Sequence, residues 1–369
     1  MSNIVKIMIA AGAVLVIISV LCVGALFVIS GGEPVDYLQK VYLRITLASR
    51  QAELDQAMFP GDTRPIRFSV RAGDTPRVIA RNLMDNGLIA DDVLFVDFVR
   101  LNDLDRELEA GTYFLKRSQS LTEIAYALTD SRNSQITFRI IEGERIEEIA
   151  AKIDGASAYF GFSGADFLAV AGAGAPIDPI FATQFGLPAG ASLEGFLFPD
   201  TYELPADVSA VMLRDTLTQH FIDKVGTQIP LDAAAQGFSM YQIVTLASIV
   251  QREAVRSDEQ PMIAGVYRNR LAINMRLEAD PTVQYGIGFQ NGTWWPRITA
   301  ADYSNVQSPY NTYLINGLPP GPIANPGLIA IQSAVYPAQS DFYFFRADCR
   351  SDGYHDFART FEEHLANGC

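Results

Sequence analysis

Glu253 closes a row of apolar residues. Ser239 followed by Gln242 has the form of a capping box that opens a helix. From there Ile243, Leu246, Val250 and Glu253 recur at spacings of three, four and three, which puts them on one helix face. A carboxyl group among apolar neighbours loses hydration in its charged form, so its pKa rises toward neutrality and it can donate a proton. By placement Glu253 is a candidate general acid. The competing reading sets it just past the buried stretch as a solvated acid, and periodicity alone leaves both open. Arg252 and Arg256 fall on the flank of the row, where they can reach solvent or substrate without neutralising Glu253 at its own position.

Other polar groups sit in settings that suit either binding or packing. Glu194 and Asp200 lie among aromatics in Leu193-Glu-Gly-Phe-Leu-Phe-Pro-Asp-Thr-Tyr202, which fits a binding surface or a turn between core strands. Ser257 to Gln260 cap a helix reaching about Leu271, and Asp280-Pro281 starts a further element. Phe342 to Arg346 and Gly353 to Phe357 alternate and turn as a hairpin does. The histidines His220, His355 and His364 are scattered and there is no Cys-x-x-Cys, so neither a zinc site nor another cofactor is expected. Cys349 and Cys369 suit a disulfide if this end is exported and free thiols if it is cytosolic.

The elements that must position these groups follow an apolar N-terminus. The chain has 369 residues, 49% of them apolar, and a formal charge of −14 that argues against nucleic acid or an anionic membrane surface as partner. Residues 7–30 are uncharged and strongly apolar. As a helix they span about 36 Å, enough for a hydrocarbon core of about 30 Å, and the run is longer than the apolar region of a cleaved signal peptide. The reading is a transmembrane anchor over 1–30. Lys6 lies before it and Lys40, Arg44 and Arg50 after it, so flanking charge does not choose the orientation.

Residues 31–65 show no sustained period and read as a juxtamembrane stalk with one short helix. An internal repeat follows: Phe68, Val70, Gly73, Ile79 and Ala80 recur as Phe138, Ile140, Gly143, Ile149 and Ala150. Each copy reads as a strand, a glycine turn and an amphipathic helix. Between them Gly111-Thr-Tyr-Phe-Leu115 reads as a strand, and Ser120 with Glu123 as a second capping box. The stretch from Val70 to Gly87 resembles the LysM family of peptidoglycan-binding modules. The fold expected is α+β: an N-terminal transmembrane helix, a small LysM-like α/β module over 66–155, and a larger α+β catalytic domain over 156–369.

Six motifs in register carry a wider resemblance. Leu193 to Tyr202, Leu246-Ala-Ser-Ile-Val-Gln-Arg-Glu253, Val266-Tyr-Arg-Asn-Arg-Leu271, Asp280-Pro-Thr-Val-Gln-Tyr-Gly286, Tyr310-Asn-Thr-Tyr313 and Gly317-Leu-Pro-Pro-Gly-Pro-Ile323 together resemble the MltG (YceG-like) endolytic murein transglycosylases. The resemblance implies that Glu253 is the catalytic acid of a lytic transglycosylase. Such an enzyme cleaves the bond between N-acetylmuramic acid and N-acetylglucosamine inside a peptidoglycan strand and leaves 1,6-anhydro ends. It implies that His355 lines the substrate cleft; Gln284, Tyr285, Asn311 and Tyr313 sit in motifs suited to bind sugar hydroxyls and faces and suit equally a buried role satisfying backbone, and Glu194 is a further substrate-binding candidate. It also implies a catalytic region outside the cytoplasmic membrane, beside glycan-polymerising synthases, where it terminates nascent strands. Relatives commonly carry a second acid two positions before the catalytic one, where this chain has Gln251. Two other readings stay open: a hydrolytic muramidase with a second carboxylate from Glu194, Asp200 or Asp280, and a non-catalytic peptidoglycan-binding scaffold.

Overall fold

Among the described residues each of the three sheets is a two-stranded antiparallel ladder, and helices supply most of the remaining core. The computed structural model describes residues 3–350 and 352–368. The chain divides into two compact units, Met1–Ser134 and Gln135–Cys369, of mixed α+β class.

In the first unit, helix α1 runs from Asn3 to Ile29, about 40 Å at the usual rise per residue. Gly31 and Gly32 take φ of +64° and +98°, which side chains resist, and Pro34 opens helix α2, Pro34–Ser49. Among the described residues no single helix is long and apolar enough to cross a membrane, although Val14–Ile29 and Pro34–Ser49, bent by 78°, meet that test as a pair. The segment expected to be a stalk is largely helical. Leu43 and Leu47 of α2 are buried, as is Leu54 of the short helix Gln51–Asp55. A single hydrophobic period was invisible there because α2 also carries apolar residues on its outer side.

Strand β1, Pro65–Val70, pairs with β2, Gly111–Lys116, so that Phe68 and Val70 face a core of Ile79, Leu83, Phe95, Val99 and Tyr113. Between the strands lie helices Pro76–Asp85 and Asp92–Leu101, the second capped by Asp91, which accepts the Val93 and Leu94 N–H groups at 2.8 and 2.9 Å. The capping box of Ser120 and Glu123 opens helix Leu121–Ala127.

Both copies of the repeat form a strand, a glycine turn and a helix, with Gly73 at φ +89° and Gly143 at +83°. They do not share a module. Strand β3, Gln135–Arg139, pairs with β4, Thr201–Pro205, placing Phe138 opposite Tyr202. A strand belongs with the partner that satisfies its edge, so the second copy joins the C-terminal unit. The division falls after Ser134 rather than after residue 155.

At the centre of the second unit is helix Met240–Glu253, packed against helices Gln260–Ala272 and Leu328–Val335. Phe181, Phe185, Phe196 and Phe221 form an aromatic cluster with ring centroids 4.7 to 6.0 Å apart. The expected hairpin is present as β5, Phe344–Ala347, paired with β6, His355–Ala358. Cys349 is held in a disulfide; Cys369, its expected partner, lies outside the described residues.

Candidate active site

The capping box forms as its sequence predicts: Ser239 Oγ accepts from the Gln242 N–H at 3.2 Å and Gln242 Oε1 accepts from the Ser239 N–H at 2.9 Å. Every residue from Ile243 to Val250 is buried, so the helix is enclosed on all sides rather than along one stripe. Glu253 is its last residue and is half-buried. Both sequence readings hold in part: the acid sits at the helix end, and that end is in the protein.

Tyr267, from the neighbouring helix, donates its hydroxyl to Glu253 Oε1 at 2.8 Å. The tyrosine is itself buried, its ring edge-on to Phe345. Burial pushes the Glu253 pKa up to about 7, and the negative charge of Asp280 pushes the same way; the Tyr267 hydrogen bond, Arg270 and Arg252 oppose it. Burial and the nearby carboxylate hold the Tyr267 hydroxyl well above its ordinary value, so it stays a donor. Asp280 Oδ1 accepts from the Tyr313 hydroxyl at 2.7 Å, and Tyr313 stacks on Tyr303 at 4.1 Å. Arg270 is buried and spends its donors on carbonyls, reaching Tyr343 O at 2.6 Å and Leu277 O at 2.7 Å.

A second cluster adjoins through Arg252. Its guanidinium lies 3.8 Å from the Trp295 ring, and Trp295 Nε1 donates to Glu148 at 3.0 Å. Arg145 covers Tyr285 at 4.0 Å and Trp294 at 4.8 Å, and Tyr285 packs on Tyr310 at 4.6 Å. Aromatic faces and fixed polar groups beside an acid form a surface suited to sugar rings. A cavity of about 650 Å³, lined by Gln236, Phe238, Arg268 and Tyr336 among others, contains none of these groups.

Several expected cleft residues are used otherwise. Glu194 is 1% exposed and accepts from the Ile146 N–H at 3.1 Å and from Asn325 Nδ2 at 3.1 Å. It clamps the Ile146 backbone and the Asn325 side chain together. Asn311 is fully buried, donating to Tyr303 O and Val306 O and accepting from the Tyr313 N–H. It shapes the loop that carries Tyr313. His355 Nδ1 lies 2.8 Å from Glu259 Oε2, and the His355 backbone N–H donates to Glu259 Oε1, so it ties the hairpin to the segment after Glu253. Gln284 donates to Pro296 O at 2.9 Å, which holds the tryptophan loop. Asp200 pairs with His220 at 2.8 Å and Lys224 at 3.2 Å, with its pKa held down to about 2 by these partners, chiefly His220. Of the three second-acid candidates, only Asp280 belongs to the Glu253 cluster.

Sequence reasoning passed over Tyr267, Arg145, Trp295 and Asn325 as site or support residues. Tyr267 had a signal: it lies in a quoted motif on the next helix. Asn325 had none, because it meets Glu194 only through the tertiary fold.

The sequence profile described as the YceG-like family matches residues 68–368. The chain belongs to the YceG-like family. An endolytic murein transglycosylase of Bacillus subtilis (strain 168) is 28% identical over 314 residues, covering 81% of this chain and 82% of its own. One from Streptococcus pneumoniae serotype 2 is 27% identical over 319 residues, covering 82% of this chain but 57% of its own. The crystal structure of a putative YceG-like protein of Listeria monocytogenes aligns at a TM-score of 0.53 with 30% identity, over 82% of this chain and 99% of that one. The match takes in the whole Glu253 cluster of this YceG-like protein.

Proposed function

We infer that this protein is a peptidoglycan lytic transglycosylase with Glu253 as its acid and base. The observation that carries the reading is a half-buried carboxyl group, its pKa pushed up to about 7, at the meeting point of the family's motifs. Glu253 donates its proton to the glycosidic oxygen as the bond from C1 of the muramyl residue breaks. The oxocarbenium-like centre at C1 is then closed by the C6 hydroxyl of the same sugar, whose proton returns to the Glu253 carboxylate. A 1,6-anhydro end and a free 4-hydroxyl result, with no water consumed. Tyr267 fixes one carboxyl oxygen and leaves the other for the proton. The roles of Tyr285 and Tyr313 are to present aromatic and hydroxyl groups to the glycan.

The second reading, a hydrolytic muramidase, draws on Asp280, whose charge reaches Glu253 and whose Oδ1 is held by Tyr313. A second carboxylate in the cluster is what a water-activating or nucleophilic mechanism requires. Mass spectrometry of products from purified, uncrosslinked strands decides. Anhydro ends support the transglycosylase; reducing ends support the hydrolase.

Residues 7–30 anchor the chain in the cytoplasmic membrane, with the second unit on the outer side where peptidoglycan lies. The apolar character of this run, which passes the length test only together with the bent helix after it, supports an anchor, and the murein named for the relatives supports the outer side. There the enzyme cuts nascent strands beside the synthases that extend them. The strand–helix–helix–strand order over residues 65–116 supports a LysM-like glycan-binding role for the first unit. Protease accessibility in spheroplasts tests the topology, and full protection of the second unit overturns it.

A further inference from the structure

Helix α2 is apolar on two opposed sides. Leu43 and Leu47, one turn apart, are buried, and α2 packs on helix Asp92–Leu101. Val35, Leu38, Tyr42 and Ile45 recur at spacings of three, four and three on the other side and cover nothing, with exposures of 77, 52, 67 and 68%. A run of four large apolar side chains in water is costly and marks a contact surface. The helix is firmly joined to its unit: Lys40 Nζ meets Asp103 at 2.8 Å, and Arg50, just beyond its end, meets Asp91 at 2.7 Å. The bare face is therefore a fixed surface rather than a fraying end.

Its position indicates what covers it. α2 leaves α1 at 78°, through the two glycines with positive φ and Pro34. A helix perpendicular to a membrane-spanning one lies along the bilayer plane. α2 cannot continue the span itself, since it carries Asp36, Lys40 and Arg44 and buries its inner face on protein. We propose that α2 is an interfacial helix that lays Val35, Leu38, Tyr42 and Ile45 into the outer leaflet and holds the first unit flat against the membrane. The apolar row enters the headgroup and acyl boundary, where Tyr42 suits the mixed polarity. The occupant is lipid, and the inference rests on the anchor proposed above.

The test uses the full chain in a Cys22→Ser background, which removes the exposed free thiol. Tyr42→Cys, Ile45→Cys and, as control, Glu107→Cys are each labelled with an environment-sensitive fluorophore and reconstituted into phosphatidylethanolamine–phosphatidylglycerol vesicles. At positions 42 and 45, emission shifts to the blue, lipids with a nitroxide high on the acyl chain quench at least twofold, and iodide quenches little. The label at 107 shows the opposite. Labels at 42 and 45 as open to iodide as that at 107, in protein that floats with the vesicles and resists alkaline carbonate, overturn the interfacial helix and leave the anchor standing. Labels shielded from iodide yet untouched by lipid nitroxide also overturn it, in favour of a protein partner. Failure of the chain to float with vesicles overturns anchor and interfacial helix together.

Discussion

Glu194 and Glu253 lie in the same unit, and burial raises the pKa of both, to about 8 and about 7. Their surroundings differ. Glu194 is closed in by the Ile146 N–H and the Asn325 amide, and both its oxygens are engaged by the fold. Glu253 accepts one hydroxyl, from Tyr267, and is partly open. A perturbed carboxyl group is thus no marker of chemistry by itself; it becomes one when an oxygen is left free to exchange a proton with something outside.

The largest expected effect separates the two acids by activity. Glu253→Gln keeps size and hydrogen-bonding shape but carries no transferable proton. Strand cleavage should fall by more than the roughly 10²- to 10⁴-fold usual for general acid–base help, because one residue serves two steps. Release of anhydro ends at near wild-type rate by this variant would end the mechanism. Folding should not suffer. The folded pKa of Glu253 lies above its ordinary value of 4.5, so its contribution to stability is full below about 4.5 and is lost as pH rises through about 7. Relative to wild type the variant should gain up to about 3 kcal/mol between those limits. Denaturant melts at several pH values check the sign.

Glu194→Ala should show the complementary pattern. Loss of the acceptor strands the buried Ile146 N–H and Asn325 amide, at a cost of about 3 kcal/mol. Cleavage per folded molecule should stay within about threefold of wild type on the scale of ordinary mutational effects. A normal melting curve with lost activity would return Glu194 to the cleft.

Smaller shifts sharpen the picture of the open acid. Tyr267→Phe removes a bond that favours the charged form, so the Glu253 pKa should rise and the alkaline limb of the rate profile should move to higher pH. A limb that stays put or moves down would show that Tyr267 does not act on the proton. Asp280→Asn removes a negative charge that favours the protonated form, so that limb should move to lower pH, with the rate at the optimum changed less than about tenfold. Abolished activity would instead make Asp280 the second acid of a hydrolase.

The same contrast explains what the sequence could disclose. The capping box at Ser239, the apolar row to Glu253 and the closing hairpin are local patterns, and each appears in the fold. The repeat was also legible as strand, turn and helix. Its strands' partners were not, because β3 closes on β4 from far along the chain, and this moved the unit boundary. For Glu194 and Asn311 a binding and a packing role both stayed open in the sequence, for a related reason. Polarity inside a motif shows that a side chain needs partners, while only the tertiary structure shows whether those partners are substrate or backbone.

The end of the helix Met240–Glu253 adds a source of acidity control that lies in no side chain. Its peptide dipoles align head to tail, and Glu253 occupies the terminus where their partial negative charge gathers. The backbone itself therefore repels a carboxylate there and favours the proton. Neighbouring residues can be exchanged one by one without removing that field. Adding a helical turn beyond Glu253 would move the acid away from it, so the length of the helix is as much a part of the acid as the carboxyl group.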